Sequence, residues 1–183
     1  GGRSIYGMSS EDGKTWTART LLARIGQGHY QVSRPYKNRV GSAFNMHPHD
    51  KGLNWRTNLY YMQSSDFGAT WQNAQGEALT LPLTEVRNHA LVADYQAKGL
   101  NVYMKDITYD EQGHPVILFI TSKGYQSGPA NMPRTWTTAS WTGDEWVIQG
   151  QIISDNNYDT GSLYIESKEQ WRIIGPTEVG PQP

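Results

Sequence analysis

Ser64-Ser-Asp-Phe-Gly-Ala-Thr-Trp71 closes a tyrosine-rich apolar run, Leu59-Tyr60-Tyr61-Met62, and Ser9-Ser-Glu-Asp-Gly-Lys-Thr-Trp16 closes another, Ile5-Tyr6-Gly7-Met8. Each reads as a strand, a polar turn with an acid and a glycine, and a tryptophan that opens the next strand. The carboxylate can accept the backbone N–H groups of the turn, glycine supplies a positive φ, and the indole pins the hairpin on the core. A unit of this kind recurring at long spacing predicts a radially repeated, all-β architecture.

The second copy resembles the Ser-x-Asp-x-Gly-x-Thr-Trp consensus of the Asp-box (BNR) repeat at every fixed position. The first places Glu11 where the aspartate belongs, with Asp12 beside it. This resemblance implies a sialidase-like β-propeller built of four-stranded antiparallel sheets. The boxes sit on outer hairpins and say nothing directly of catalysis.

Composition narrows the classes. With 183 residues there is room for one good core. The net charge is −1 and the 16 basic residues are scattered, which argues against nucleic acid as a partner. There is no run of 18 apolar residues, hence no membrane span of the helical kind. Cysteine is absent, so disulfides and thiolate metal sites are excluded. The chain carries 7 Trp and 11 Tyr against 3 Phe. Aromatics with a polar edge suit strands, interfaces and sugar-stacking surfaces alike, and blade core is the plain reading of any one tryptophan.

Short runs rich in Val, Ile, Tyr and Thr, bounded by Gly, Asn, Asp and Pro, dominate the chain. Weaker versions of the strand–turn–Trp unit recur at 135–146 and 162–171, so that four outer hairpins close at Trp16, Trp71, Trp146 and Trp171. Inner strands are expected at 29–36, 40–48, 88–95, 100–107 and 115–122. The units are one blade end (1–27), two full blades (28–85 and 86–150) and part of another (151–183). Closed propellers use four to eight blades, so the remaining blades of a longer chain, or an assembly partner, are expected to close the ring. The Gly-Gly-Arg start and Gly-Pro-Gln-Pro end fit a piece of a longer chain.

Ligands of a propeller bind where inner strands meet the axial channel. His29 stands at the start of one strand and His47 at the end of the next, which an antiparallel pairing makes neighbours. Imidazoles there suit proton transfer or metal binding; ordinary polar loop histidines are the alternative. His47 and His49 would share a face, but Pro48 ends the strand. Arg34, Arg56 and Arg134 lie at or near strand ends, where a guanidinium can grip a carboxylate with two parallel hydrogen bonds or form a surface ion pair. Tyr125 sits in a Gly/Pro-rich loop too long for a simple turn. The segment Ser154-Asp-Asn-Asn-Tyr-Asp-Thr-Gly161 can cap a blade or line a sugar site, with Asn156 and Tyr158 as its substrate-binding candidates. Asp155, Asp159, Asp94, Asp106 and Asp110 are carboxylates able to bind calcium, but no EF-hand spacing supports it. No cofactor is implied, and a structural divalent cation is left open.

The runs His29-Tyr-Gln-Val-Ser-Arg-Pro-Tyr36, Phe44-Asn-Met-His-Pro48, Arg56-Thr-Asn-Leu-Tyr-Tyr61, Gly124-Tyr-Gln-Ser-Gly-Pro129 and Tyr158-Asp-Thr-Gly-Ser-Leu-Tyr-Ile-Glu166 resemble the BNR-4 group of propeller proteins. That group is similar to ulvan lyases, seven-bladed propellers that cleave uronic-acid polysaccharides by β-elimination with two histidines, a tyrosine and an arginine. The resemblance implies a secreted or periplasmic bacterial protein acting on a polysaccharide or oligosaccharide. It implies His29, His47, Tyr125 and Arg134 as catalytic residues, while Arg34, Arg56, His49, Asn156 and Tyr158 are the substrate-binding candidates read from the residues themselves. A rhamnosidase- or sialidase-like hydrolase and a non-catalytic glycan-binding propeller are the alternatives.

Overall fold

The computed structural model describes residues 2–128 and 130–176. Pro129 of the long loop and residues 177–183 of the last expected blade lie outside them. Among the described residues every regular element is a strand: β1 Ile5–Gly7, β2 Thr20–Ala23, β3 Gln31–Tyr36, β4 Arg39–Met46, β5 Thr57–Ser64, β6 Leu91–Ala93, β7 Asn101–Tyr109, β8 Pro115–Ser122, β9 Arg134–Trp141, β10 Trp146–Ser154, β11 Ser162–Ser167 and β12 Gln170–Ile174. They form two four-stranded antiparallel sheets, β3-β4-β5-β6 and β7-β8-β9-β10, flanked by the pairs β1-β2 and β11-β12. These are β-propeller blades. The first complete blade takes its last strand from Leu91–Ala93, and the next begins at Asn101.

The sequence of β4, β5 and β8 explains the stacking. Their apolar runs do not alternate with polar residues because both faces of each sheet are covered. Phe44, Met46, Tyr60 and Met62 face the β1-β2 pair and join Leu22, Ile25 and Trp71. Ala43, Leu59 and Tyr61, on the opposite face, meet Val102, Ile107, Ile117 and Phe119 of the next blade. Val116, Leu118 and Ile120 then turn to Trp136 and Leu163. A residue's parity along its strand therefore selects which blade interface it fills.

The innermost strands are β3, β7 and β11. Arg34 donates to the Ile107 carbonyl (3.3 Å), Tyr109 donates to the Arg34 carbonyl (3.2 Å), and Leu163 N–H donates to the Asp106 carboxylate (2.8 Å). The outer strand of the first blade is interrupted. Gln72 pairs with Gln63, the chain makes an excursion whose Leu83 pairs with Ala23 of β2, and Leu91 rejoins β5 opposite Tyr60. The excursion thus stitches one blade to the edge of its neighbour.

In the turn 64–71, Asp66 accepts the Thr70 hydroxyl (2.6 Å) and backbone N–H (3.0 Å), and Gly68 takes a φ of 88°. In the turn 9–16 that carboxylate is Asp12, not Glu11: Asp12 accepts the N–H groups of Lys14 and Thr15, both at 2.7 Å. The two turns touch, since the Ser9 hydroxyl donates to the Phe67 carbonyl. The expectation that each closing tryptophan pins its hairpin on the core holds for Trp71, 7% exposed, and not for Trp16 and Trp171, which are exposed. Trp146 packs its edge on Tyr61. The deepest tryptophan is Trp136, inside β9.

Candidate functional site

The two histidines are neighbours in the backbone, as the antiparallel reading expects: His47 N–H donates to the Gly28 carbonyl (2.8 Å), and Gln27 N–H donates to that of His47 (2.7 Å). Their rings, however, have different surroundings. His29 packs its edge on Phe44 in the core. Its Nε2 accepts the Ile25 N–H (3.0 Å), so its proton sits on Nδ1 and is donated to the Asn45 carbonyl (2.8 Å). Burial pushes this imidazole down to about 4. With both nitrogens spent on backbone, His29 is a latch rather than a free base.

His47 is fully buried, and its Nδ1 hydrogen-bonds the Trp55 carbonyl (2.8 Å). As the carbonyl can only accept, the proton is on Nδ1 and Nε2 carries a lone pair, which has no hydrogen-bond partner among the described residues. Burial lowers its pKa; the Trp55 and Leu53 carbonyls oppose that, and the Arg56 and Arg3 charges reinforce it.

Around His47 the inner strand ends assemble aromatic faces and cations. The Tyr30 ring lies 5.3 Å from the imidazole. The Arg56 guanidinium lies 4.2 Å from the centre of the Tyr30 ring, 5.1 Å from that of Tyr103 and 5.2 Å from that of Tyr158. Arg3 donates to the Tyr30 phenol oxygen (2.7 Å). Lys105 of β7 donates to the Asn157 carbonyl (2.9 Å), and burial lowers its pKa to about 8 against the opposing charge of Asp159. Neither Arg3 nor Arg56 forms an ion pair with a carboxylate among the described residues. Such a rim is predominantly cationic, with Asp159 opposing Lys105, and its partly exposed Tyr30 and Tyr158 rings suit the apolar faces of sugars.

Of the residues expected from sequence, His47, Arg56 and Tyr158 come together here. Tyr125 stands at the flank, its ring 5.6 Å from that of Trp55. Arg34 is engaged between the innermost strands by Asp106 at 3.7 Å. His49 is exposed beyond Pro48, where β4 has ended. The Asn156 side chain accepts the Tyr158 N–H (3.0 Å) and so builds the turn that presents Tyr158. Arg134 is fully buried, donating to the Gln126, Gly128 and Asp155 carbonyls, and so ties the stretch 126–128 to the turn after β10.

Sequence reading missed Arg3, Tyr30, Tyr103, Lys105 and Asn157. Tyr30 was within reach, because alternation separates the surroundings of residues 29 and 30. Asn157 was not: it is fully buried and donates to the Tyr125 carbonyl (3.1 Å), which only the fold reveals. Asp159 is raised by burial and by its hydrogen bond to Asp155. Among the described residues no three His, Asp or Glu side chains converge as a metal site, and no helix is long and apolar enough to cross a membrane.

An all-β chain of propeller blades with an aromatic, cationic rim at its inner strand ends is the class defined by these features. A model described as BNR repeat-containing family member (BNR_4) matches residues 4–150, and the chain belongs to that family. No functionally curated protein matches it. Among solved structures it is similar to one described as a new family of polysaccharide lyase, PL25 ulvan lyase. The TM-score is 0.73 at 18% identity, covering 94% of this chain and 43% of that one. The same lyase bound to -[GlcA(1-4)Rha3S]- matches with a TM-score of 0.71 at 18% identity, covering 91% and 42%. The polysaccharide lyase Uly1 matches at 0.64 and 16% identity, covering 89% and 38%. The chain therefore spans about two fifths of the length of these structures.

Proposed function

We propose that the rim around His47 and Arg56 binds an acidic unit of a polysaccharide, and that the full-length protein cleaves uronic-acid glycans by β-elimination. The observation that carries this reading is the Arg56 guanidinium, held by three tyrosine faces without a carboxylate partner, beside an imidazole whose Nε2 lone pair is unclaimed. Elimination requires loss of the proton at C5 of a uronate, which is weakly acidic until its carboxylate is neutralised. Arg56 is the neutralising cation, and a neutral His47 is the base. The likeness to ulvan lyase structures supports the substrate class and, with it, secretion.

The Asp155 and Asp159 carboxylates of this rim are hydrogen-bonded to each other, closer than the pair roughly 5–9.5 Å apart that conventional hydrolysis uses. The burial of His47 favours a second reading, a glycan-binding propeller without turnover.

The test incubates the full-length protein with ulvan, rhamnogalacturonan and gum arabic and follows the ultraviolet absorbance of the unsaturated uronate, with His47→Ala as control. A rise that the substitution abolishes supports the lyase. Reducing ends without absorbance would replace it with a hydrolase, and binding with neither signal would replace it with a carbohydrate-binding module.

A further inference from the structure

Away from the rim, the outer strands of the two complete blades leave a second concavity at the seam between them. A cavity of about 260 Å³ opens between the 73–77 and 88–92 segments of the first blade and the β9-β10 hairpin of the second. Both walls belong to four-stranded sheets, so no further blade is needed to form it. The second blade supplies two indoles, Trp141 and Trp146, which stand opposite each other where β9 ends and β10 begins. Their ring centres lie 5.6 Å apart at 59°, and the Trp146 ring meets that of Tyr61 at 5.6 Å and 66°. Trp141 and Tyr61 are buried, while Trp146 is only half-buried.

The first blade supplies a carboxylate that is already held in place. The Asn73 side-chain oxygen accepts the N–H groups of Gln75 and Glu77, both at 3.0 Å. Its amide donates to the His89 carbonyl (3.0 Å) and to one oxygen of the Glu77 carboxylate (3.1 Å). The other Glu77 oxygen lies 2.7 Å from His89 Nδ1, whose proton it accepts. These contacts occupy about half of the acceptor positions of a carboxylate, so Glu77 has room for further donors.

We propose that this seam is a second saccharide site, which takes a single neutral pyranose. The volume lies just under the roughly 300–1,000 Å³ of pockets for drug-sized ligands, which suits one sugar ring and not a chain. The C–H face of the ring covers the open part of the Trp146 indole, and two adjacent hydroxyls donate to Glu77. Among the described residues no Lys or Arg lines the cavity. A uronate would therefore set its own carboxylate against Glu77. A quaternary ammonium could meet the rings but gives Glu77 no hydrogen bond. The rim around Arg56 has the opposite polarity, so a polysaccharide with acidic and neutral units is held at two places on the molecule. The seam site stands whether or not the rim performs elimination.

The test titrates the full-length protein with methyl α-L-rhamnopyranoside and methyl β-D-glucopyranoside, followed by saturation-transfer NMR. Saturable binding of at least one is expected, and Arg56→Ala should leave it unchanged. Glu77→Gln keeps an oxygen for the Asn73 amide but loses the charge. It should weaken binding about 10–100-fold, the worth of a hydrogen bond to a charged group. Methyl β-D-glucuronide and tetramethylammonium are compared in Arg56→Ala, where both should bind more weakly than the neutral glycoside. Unchanged affinity in Glu77→Gln, loss of binding in Arg56→Ala, tighter binding of either comparator, or no saturable binding of either glycoside would overturn the site. Formation of unsaturated uronate, followed in parallel on the polysaccharide, reports on the rim alone, so either reading can fail by itself.

Discussion

Arg56 stacks on Tyr30 with 4.2 Å between the guanidinium carbon and the ring centre, so a residue just before β5 and one just before β3 form a single cationic face. The contact spans two strands that do not pair with each other, since β4 lies between them. It depends on both strand ends reaching the same rim.

Removing that cation should weaken binding of a glucuronate-containing oligosaccharide. Arg56→Ala is expected to cost about 1.5–3 kcal/mol, the range of a hydrogen bond to a charged group. Arg56→Lys should recover only part of it, since an ammonium keeps the charge but loses the planar fork and the ring stack. Isothermal titration at low and high salt measures both, and unchanged affinity in Arg56→Ala would move the binding site elsewhere.

The His29 latch should make the fold acid-labile. Its pKa is depressed from 6.5 to about 4 by burial, so the unfolded chain binds the proton first. Its stabilisation is complete above pH 6.5 and is lost as pH falls through about 4. The expected loss is on the order of 3 kcal/mol across that window. Urea unfolding at a series of pH values measures it. His47 shifts in the same direction, and His29→Gln, which can still accept the Ile25 N–H but cannot titrate, isolates the contribution of His29.

The two acidic turns should obey the geometry rather than the alignment of their sequences. Asp12 and Asp66 are each held at about 2, Asp12 chiefly by the Thr15 and Lys14 N–H groups and Asp66 chiefly by the Thr70 hydroxyl. Their stabilisation is therefore present above the ordinary value of 3.8 and fades as pH falls through about 2. Asp12→Asn and Asp66→Asn should each lower the melting temperature at neutral pH, with the difference closing in acid. Glu11→Gln should leave melting unchanged. A larger effect from Glu11 than from Asp12 would contradict the hydrogen bonding found in the first turn.

Arg134 should prove structural. Arg134→Met leaves the Gln126 and Gly128 carbonyls without their donor, at a cost of about 3 kcal/mol. Limited proteolysis should then cut within 123–133 faster than in the unsubstituted protein. Unaltered cleavage and unfolding would show that the loop is held by other contacts.

The local chemistry of strands and turns can be read from this sequence. Val, Ile and Tyr runs between polar breaks mark β4, β5, β7 and β8, and Ser64–Trp71 announces its own turn because its hydrogen bonds close within eight residues. The proximity of His29 and His47 was legible for the same reason, as a consequence of antiparallel pairing between strands joined by a short turn. Which way each imidazole points was not, because that depends on what packs on either face: the segment just after β2 claims His29 through Ile25, and the loop before β5 claims His47 through Trp55. The structural roles of Arg134 and Asn157 carry no signal in sequence, since their partners are backbone carbonyls and a carbonyl looks the same at every residue. Composition and short-range pattern thus determined the blades and their turns. Only the stacking of blade on blade decided which polar side chains were spent on the fold and which were left at the rim for a ligand, because burial and hydrogen-bond partners are properties of the packed interface and not of the strand.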